Sequence, residues 1–300
     1  MKTTITGTSG FVHQNLSKYL ENHNHQIHSL SLRNSDWKNN FDPSSNAIIH
    51  LAGKAHDTKN TADASEYFAI NTELTKQLFD VFLQSDVQDF FYFSSVKAAA
   101  DEVKTILNEV EIPNPKTPYG QSKLQAENYI LSKEIPDGKR VFIIRPCMIH
   151  GPGNKGNLNL FYKIVQKGIP YPLAAFENNR SFLGIDNLNF LIHQMLDNKN
   201  VGSGIYNFAD DEPLSTNNLF KLIAEVLGQK PKLLKISKPL ISFIAKIGDK
   251  IKLPLNSEKL QKLTENYVVC NKKIKSKLNI SKLPNSVADG LTITIKSFKK

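Results

Sequence analysis

Through the first half of the chain, short β-branched and aromatic runs alternate with stretches of helical period, and no other feature limits the fold so tightly. "KTTIT" (2–6), "QIHSLSL" (26–32), "AIIHLAG" (47–53), "DFFYFSS" (89–95) and "RVFIIRP" (140–146) read as strands. Between them, "FVHQNLSKYLENH" (11–23), "ASEYFAINTELTKQLFDVFLQS" (64–85) and "TPYGQSKLQAENYILSK" (117–133) read as helices. Strands alternating with helices imply βαβ units, right-handed crossovers and a doubly wound parallel α/β sheet. Ligands of such sheets sit at the carboxyl ends of the strands. After "GPGNKGN" (151–157) the alternation stops. Residues 1–150 are therefore expected to form the sheet domain. Residues 151–300 are expected to form mainly a smaller C-terminal lobe, with a return to the sheet at "GIYNFA" (204–209).

At 300 residues and 40% hydrophobic the chain can bury a large core. It has no run near the roughly 18 apolar residues of a membrane span. The start, "MKTTITGTSG", goes straight into a strand pattern without a signal-peptide core, so the expected location is cytoplasmic. Cys147 and Cys270 suggest a reducing compartment, and neither has partners at metal-ligand spacing, so no metal is expected. The net charge of +10 is uneven. Residues 1–150 hold 15 Lys and Arg against 17 Asp and Glu, and residues 151–300 hold 23 against 11, balances of −2 and +12. A basic half suits an anionic ligand or is a solvated lysine surface.

"TITGTSGF" places Gly7 and Gly10 between the first strand and the first helix. Glycines there let the backbone approach a pyrophosphate, which the helix N-terminus meets with free N–H groups. The loop and first turn, Gly7, Thr8, Ser9, Gly10, Phe11 and Val12, are the expected dinucleotide-binding residues of a Rossmann fold. His13 occupies the third position, where glycine would serve close packing of helix on strand. Its ring should push the helix outward or turn towards the opening. The second strand ends "SLSLRNSD": Arg33, not an acid, stands at its tip, which favours the 2′-phosphate of NADP, while Asp36 keeps NAD open.

"PYGQSK" puts Tyr119 and Lys123 four apart, on one helix face. A nearby ammonium should lower the phenol pKa from its usual value near 10. Such a tyrosine takes a proton from an alcohol as hydride leaves the carbon, or returns it to a carbonyl. "FFYFSSVK" delivers Ser94 and Ser95 to a strand's carboxyl end, where a hydroxyl can bond the same oxygen. Lys97 points into the sugar pocket or out to solvent.

These motifs, with "IIHLAG", "RPCMIHGPGN" and "RSFLGIDNL", run in order over nearly the whole chain and resemble the extended short-chain dehydrogenases/reductases, specifically the NAD(P)-dependent nucleotide-sugar epimerase/dehydratase group. The resemblance implies that Ser95, Tyr119 and Lys123 are catalytic, that Tyr119 and Lys123 also bind the cofactor and Ser95, Lys97 and Tyr119 the substrate, and that the second lobe binds a nucleoside diphosphate sugar. It also implies that Leu51, Ala52 and Gly53 line the cofactor and that Pro146 contacts its nicotinamide end. Asn157 and Arg180 match positions that meet the substrate's diphosphate or uridine, a role that suits arginine's planar fork. The group's "SSxxVYG" is here "SSVKAAA", a change in the wall near the sugar that leaves the serine in place.

A UDP-sugar 4-epimerase is the first reading: Tyr119 deprotonates the C4 hydroxyl, the 4-keto sugar turns over, and hydride returns to its other face. A UDP-4-keto-sugar reductase consuming NADPH, in surface polysaccharide precursor synthesis, is the second, and Arg33 favours it. A dehydratase ranks third, since Val96 and Lys97 supply no acid–base pair. A dinucleotide-binding sensor or scaffold without turnover is the alternative of another class. A homodimer is left open, and nucleic acid is not an expected partner. "SKPLISFIAKIGDKIKLP" (237–254) is amphipathic; it is expected to pack its apolar face on the core, with attachment to a membrane surface as the alternative.

Overall fold

The computed structural model describes residues 1–54, 63–154, 157–251 and 255–299. Its strands are β1 (Lys2–Thr6), β2 (Gln26–Leu30), β3 (Ala47–His50), β4 (Asp89–Phe93), β5 (Ile106–Leu107), β6 (Arg140–Pro146), β7 (Met148–His150), β8 (Phe182–Gly184), β9 (Gly204–Phe208) and β10 (Val268–Val269). Six of them form one sheet in the order β2-β1-β3-β4-β6-β9. Every pairing in it is parallel. Two small parallel pairs, β5 with β10 and β7 with β8, join segments distant in sequence.

The helices are α1 (Phe11–Glu21), α2 (Ala64–Tyr67), α3 (Leu74–Gln84), α4 (Val96–Ala99), α5 (Pro118–Leu131), α6 (Asn157–Gln166), α7 (Ile185–Asp197), α8 (Thr216–Val226), α9 (Lys238–Ile251), α10 (Ser257–Thr264), α11 (Lys272–Leu278) and α12 (Val287–Lys296). Strand side chains alternate between two apolar faces. Phe91, Phe93, Phe142 and Ile144 pack with Leu16 and Leu20 of α1 and with Leu188 and Ile192 of α7. Phe90, Tyr92, Val141 and Ile143 pack with Phe79 and Phe82 of α3 and with Ala126 and Ile130 of α5. Each such side chain removed from water contributes about 2 kcal/mol, so the two sheet faces hold the fold. The sheet is therefore doubly wound. A separate core joins α6, α8, α9 and α12 through Leu158, Phe220, Ile241 and Leu291.

Two local departures from the sequence pattern matter. Residues 64–85 are one helical run by pattern, but a wider π turn, Phe68–Glu73, separates α2 from α3 and carries Asn71 and Thr72 inward. Helix α9 buries Ile241, Ala245 and Gly248 on the lobe but leaves most of its large apolar residues exposed, contrary to the expected packing. The chain runs from β1 to β2 on one side and returns to β3 on the other. The crevice at the carboxyl ends of β1 and β3 is thus the switch point where such sheets take ligands.

Candidate active site

Gly7 ends β1 with φ +75°, and a Cβ there would lie 2.9 Å from the Ala52 nitrogen. Only glycine satisfies both the left-handed backbone and this approach to the end of β3. Gly10 donates its N–H to Gly7 O at 2.8 Å and caps α1 without a side-chain bond, so the first-turn N–H groups point to the loop unblocked by a cap. This cradle, formed by Gly7 to Val12, fits a diphosphate. Only the backbone of Phe11 belongs to it, because the Phe11 ring turns to Gly151. Arg33 reaches back across the mouth, its Nη2 donating to Ser9 Oγ at 2.9 Å.

His13 does not turn towards the opening. Its ring lies under α1, 7% exposed, with Nε2 3.1 Å from Ser29 Oγ on β2. The small Ser29 leaves room for it. Burial lowers its pKa, with Glu21 opposing, so the ring is neutral near pH 7 and presents no charge to the loop.

A buried polar chain links this loop to the π turn. Ala52 N–H donates to Thr6 Oγ1, which pairs with His50 Nδ1 at 2.8 Å; His50 Nε2 meets Thr75 Oγ1, which donates to Asn71 O. Because Thr75 spends its only proton on Asn71, His50 Nε2 carries the ring proton and Nδ1 accepts from Thr6. Burial, with Lys123 adding to it, pushes the His50 pKa down to about 3, which keeps the ring neutral. Asn71 then ties Lys54 to α5: it accepts from Lys54 N–H and donates to Ser122 Oγ. The helix holding Asn71 shares in the family resemblance of the sequence, without a role for Asn71 itself; the available signal was a polar residue within an apolar helical run.

Helix α5 starts at Pro118, capped by Thr117, whose hydroxyl accepts from Gly120 N–H. It presents Tyr119 and Lys123 to the crevice. A Cβ on Gly53 would lie 3.1 Å from Lys123 Nζ, so Gly7, Ala52, Gly53 and Lys123 are contiguous. Lys123 Nζ donates to Phe93 O at 2.8 Å, and burial lowers its pKa to about 8. Ser95 caps α4, accepting from Lys97 N–H at 3.2 Å, and its side chain hydrogen-bonds Tyr119. The phenol pKa is raised, not lowered: burial dominates, the Ser95 hydrogen bond offsets part of it, and the lysine is turned to the Phe93 carbonyl. Ser94 faces away, donating to buried Glu127, which also holds Arg145. It therefore fixes the end of β4 against α5.

The remaining candidates lie on the lobe side. Lys97 turns inward, with Nζ donating to Asp101 O at 2.7 Å and standing 4.2 Å from the Tyr267 ring centre. Arg180 donates to Lys262 O and approaches Glu265 at 3.9 Å. Burial raises the Glu265 pKa, opposed by Lys97 and Arg180, so the three form one cluster. Pro146 ends β6 beside Phe208. Asn157 opens α6, and its side chain lies outside the described residues.

Comparison with known proteins gives a consistent set. A model of the NAD dependent epimerase/dehydratase family matches residues 3–209. A UDP-glucose 4-epimerase of Vibrio cholerae is 28% identical over 251 residues, covering 75% of this chain and 75% of that protein. A GDP-6-deoxy-D-mannose reductase of Pseudomonas aeruginosa is 27% identical over 240 residues, covering 74% of this chain and 79% of that protein. The solved UDP-N-acetylglucosamine 4-epimerase from Bacillus cereus matches with a TM-score of 0.78 and 21% identity over 100% of both chains.

Proposed function

As the chain belongs to the NAD dependent epimerase/dehydratase family, we propose that it is a UDP-sugar 4-epimerase acting through a 4-keto sugar. The family and the relatives make it an NAD(P)-dependent epimerase or reductase of nucleotide sugars. The UDP-sugar and the epimerisation are the proposal. The oxidoreductive site rests on one observation, that the glycine loop, Ala52, Gly53 and Lys123 are in contact and Tyr119, hydrogen-bonded to Ser95, lies on the same helix face as that lysine; the choice of a UDP-sugar epimerase is supported by the UDP-glucose 4-epimerase relative.

The cradle from Gly7 to Val12 would hold the dinucleotide, whose nicotinamide would supply a reversible hydride acceptor. The protein's own groups handle the proton and the orientation. Tyr119 would carry the proton: its phenolate form, which burial disfavours, would accept the C4 hydroxyl proton and later return it to the ketone oxygen. Ser95 bonds the same oxygen and keeps the phenol aligned. Lys123 holds the carboxyl end of β4 through its ammonium on the Phe93 carbonyl. Arg180, Lys97 and Asn157 are read as the substrate side, where the guanidinium would meet the diphosphate. The test is incubation of UDP-sugars without added reductant. Interconversion of C4 epimers is expected; conversion only of 4-keto sugars, with NADPH consumed, would overturn the reading.

That second outcome, a 4-keto-sugar reductase, is favoured by one contact, Arg33 Nη2 on Ser9 Oγ. We read this guanidinium as the group that would meet a 2′-phosphate. Arg33→Ala is expected to weaken NADPH binding about tenfold or more, the loss for a charge-assisted bond, and NADH much less. Equal loss for both in a fluorescence titration would remove Arg33 from cofactor selection.

A further inference from the structure

Helix α9 has an apolar surface that the fold leaves uncovered. Ile241, Ala245 and Gly248 face the lobe core. Leu240, Phe243, Ile244, Ile247 and Ile251 are 50, 61, 37, 38 and 63% exposed. Their positions follow i, i+3, i+4, i+7 and i+11, so all five lie on one stripe of the helix. Single exposed apolar residues are ordinary, whereas a continuous patch of this kind marks a contact surface.

Charge identifies what the surface meets. Lys246 and Lys250 of α9 are exposed, and Asp249, which hydrogen-bonds Ser257, is the only acid of the helix. On the helical wheel, Lys246 and Lys250 border the apolar stripe. A second copy of the chain laid on this face would bring two helices of the same net positive charge together, which is unfavourable. An anionic lipid surface neutralises the lysines and takes up the stripe. The helix has 14 residues. At 1.5 Å per residue it is about 21 Å long, too short for the roughly 30 Å hydrocarbon core, so it can lie in the surface but not cross it.

We propose that α9 docks the protein on an anionic lipid bilayer, with its five apolar side chains towards the acyl chains and its lysines among the headgroups. Such docking does not depend on which reaction the crevice performs.

The test uses the full chain and two vesicle preparations, phosphatidylcholine alone and phosphatidylcholine with about 30% phosphatidylglycerol, an anionic surface that attracts polybasic segments. Flotation should recover the protein with the anionic vesicles and far less with the neutral ones. Phe243→Ser with Ile247→Ser should lower the partition coefficient at least about a hundredfold, since each large apolar side chain withdrawn from lipid is worth about a factor of ten. Lys246→Glu with Lys250→Glu should weaken binding and flatten its salt dependence. Because the replaced side chains are exposed, an unchanged melting temperature and unchanged nucleotide-sugar turnover serve as fold controls. Absence of wild-type binding to anionic vesicles would overturn the proposal, as would serine-variant binding equal to wild type. So would a wild-type dimer that the serine variant splits while vesicles remain unbound, since a second copy would then cover the face.

Discussion

Tyr119→Phe is expected to lower turnover by about a hundredfold to ten-thousandfold, the range for losing a positioned general acid–base, while leaving cofactor affinity nearly intact. The two effects separate because the groups are separate. The dinucleotide cradle is built from the backbone of the Gly7 loop. The phenol oxygen lies in the crevice, hydrogen-bonded to Ser95. The phenylalanine ring would keep the edge contact with Tyr67, whose ring centre is 6.1 Å away, so the variant should fold as the wild type does. Steady-state kinetics together with a cofactor titration check this. Turnover like the wild type would remove Tyr119 from the chemistry, and parallel loss of cofactor binding would mean that it acts by holding the dinucleotide.

Lys123→Met is expected to lower turnover by about a hundredfold or more, a loss typical of an acid–base site, and also to change how stability depends on pH. Lys123 is 5% exposed, and burial lowers its pKa from 10.5 to about 8. Between those two values the unfolded chain keeps the proton that the folded protein has released. The unfolded state binds more protons there, so wild-type stability rises with pH through that window. Relative to Lys123→Met, the wild type should gain about 3 kcal/mol from pH 8 to pH 10.5, at about 1.4 kcal/mol per unit. Below the folded value the difference between the two proteins should be flat. Urea unfolding of both across this range measures it. Parallel stability curves would mean that the ammonium is not held in a desolvated position.

The sheet was legible because a strand buried on both faces is a nearly continuous apolar run, and "AIIH", "DFFYF" and "RVFIIRP" have no other reading at their lengths. Four other features depend on contacts that local pattern does not carry. The π turn leaves the apolar period of residues 64–85 almost unchanged, and the partner that explains it, Ser122, lies 51 residues from Asn71. The direction of His13 depends on the small Ser29 across the helix–strand interface. Helical spacing puts Lys123 on the face of Tyr119, but the carbonyl that claims its ammonium belongs to Phe93, 30 residues earlier. Burial therefore dominates the phenol and raises its pKa, against the sequence expectation. The amphipathic pattern of residues 237–254 was visible, but which face the lobe would cover was not. The structure buries only the narrow stripe of Ile241, Ala245 and Gly248.

The catalytic assignment of Ser95, Tyr119 and Lys123 to a 4-epimerase is tested most directly by isotope exchange at C4. A UDP-hexose incubated with the protein in D2O, with no added NADPH, should equilibrate with its C4 epimer by NMR while C4 keeps its original hydrogen. The hydride removed from that carbon is the one returned to it, and the solvent proton goes only to the oxygen through Tyr119. Deuterium at C4, or turnover only of a 4-keto sugar with stoichiometric loss of added NADPH, would contradict the epimerase.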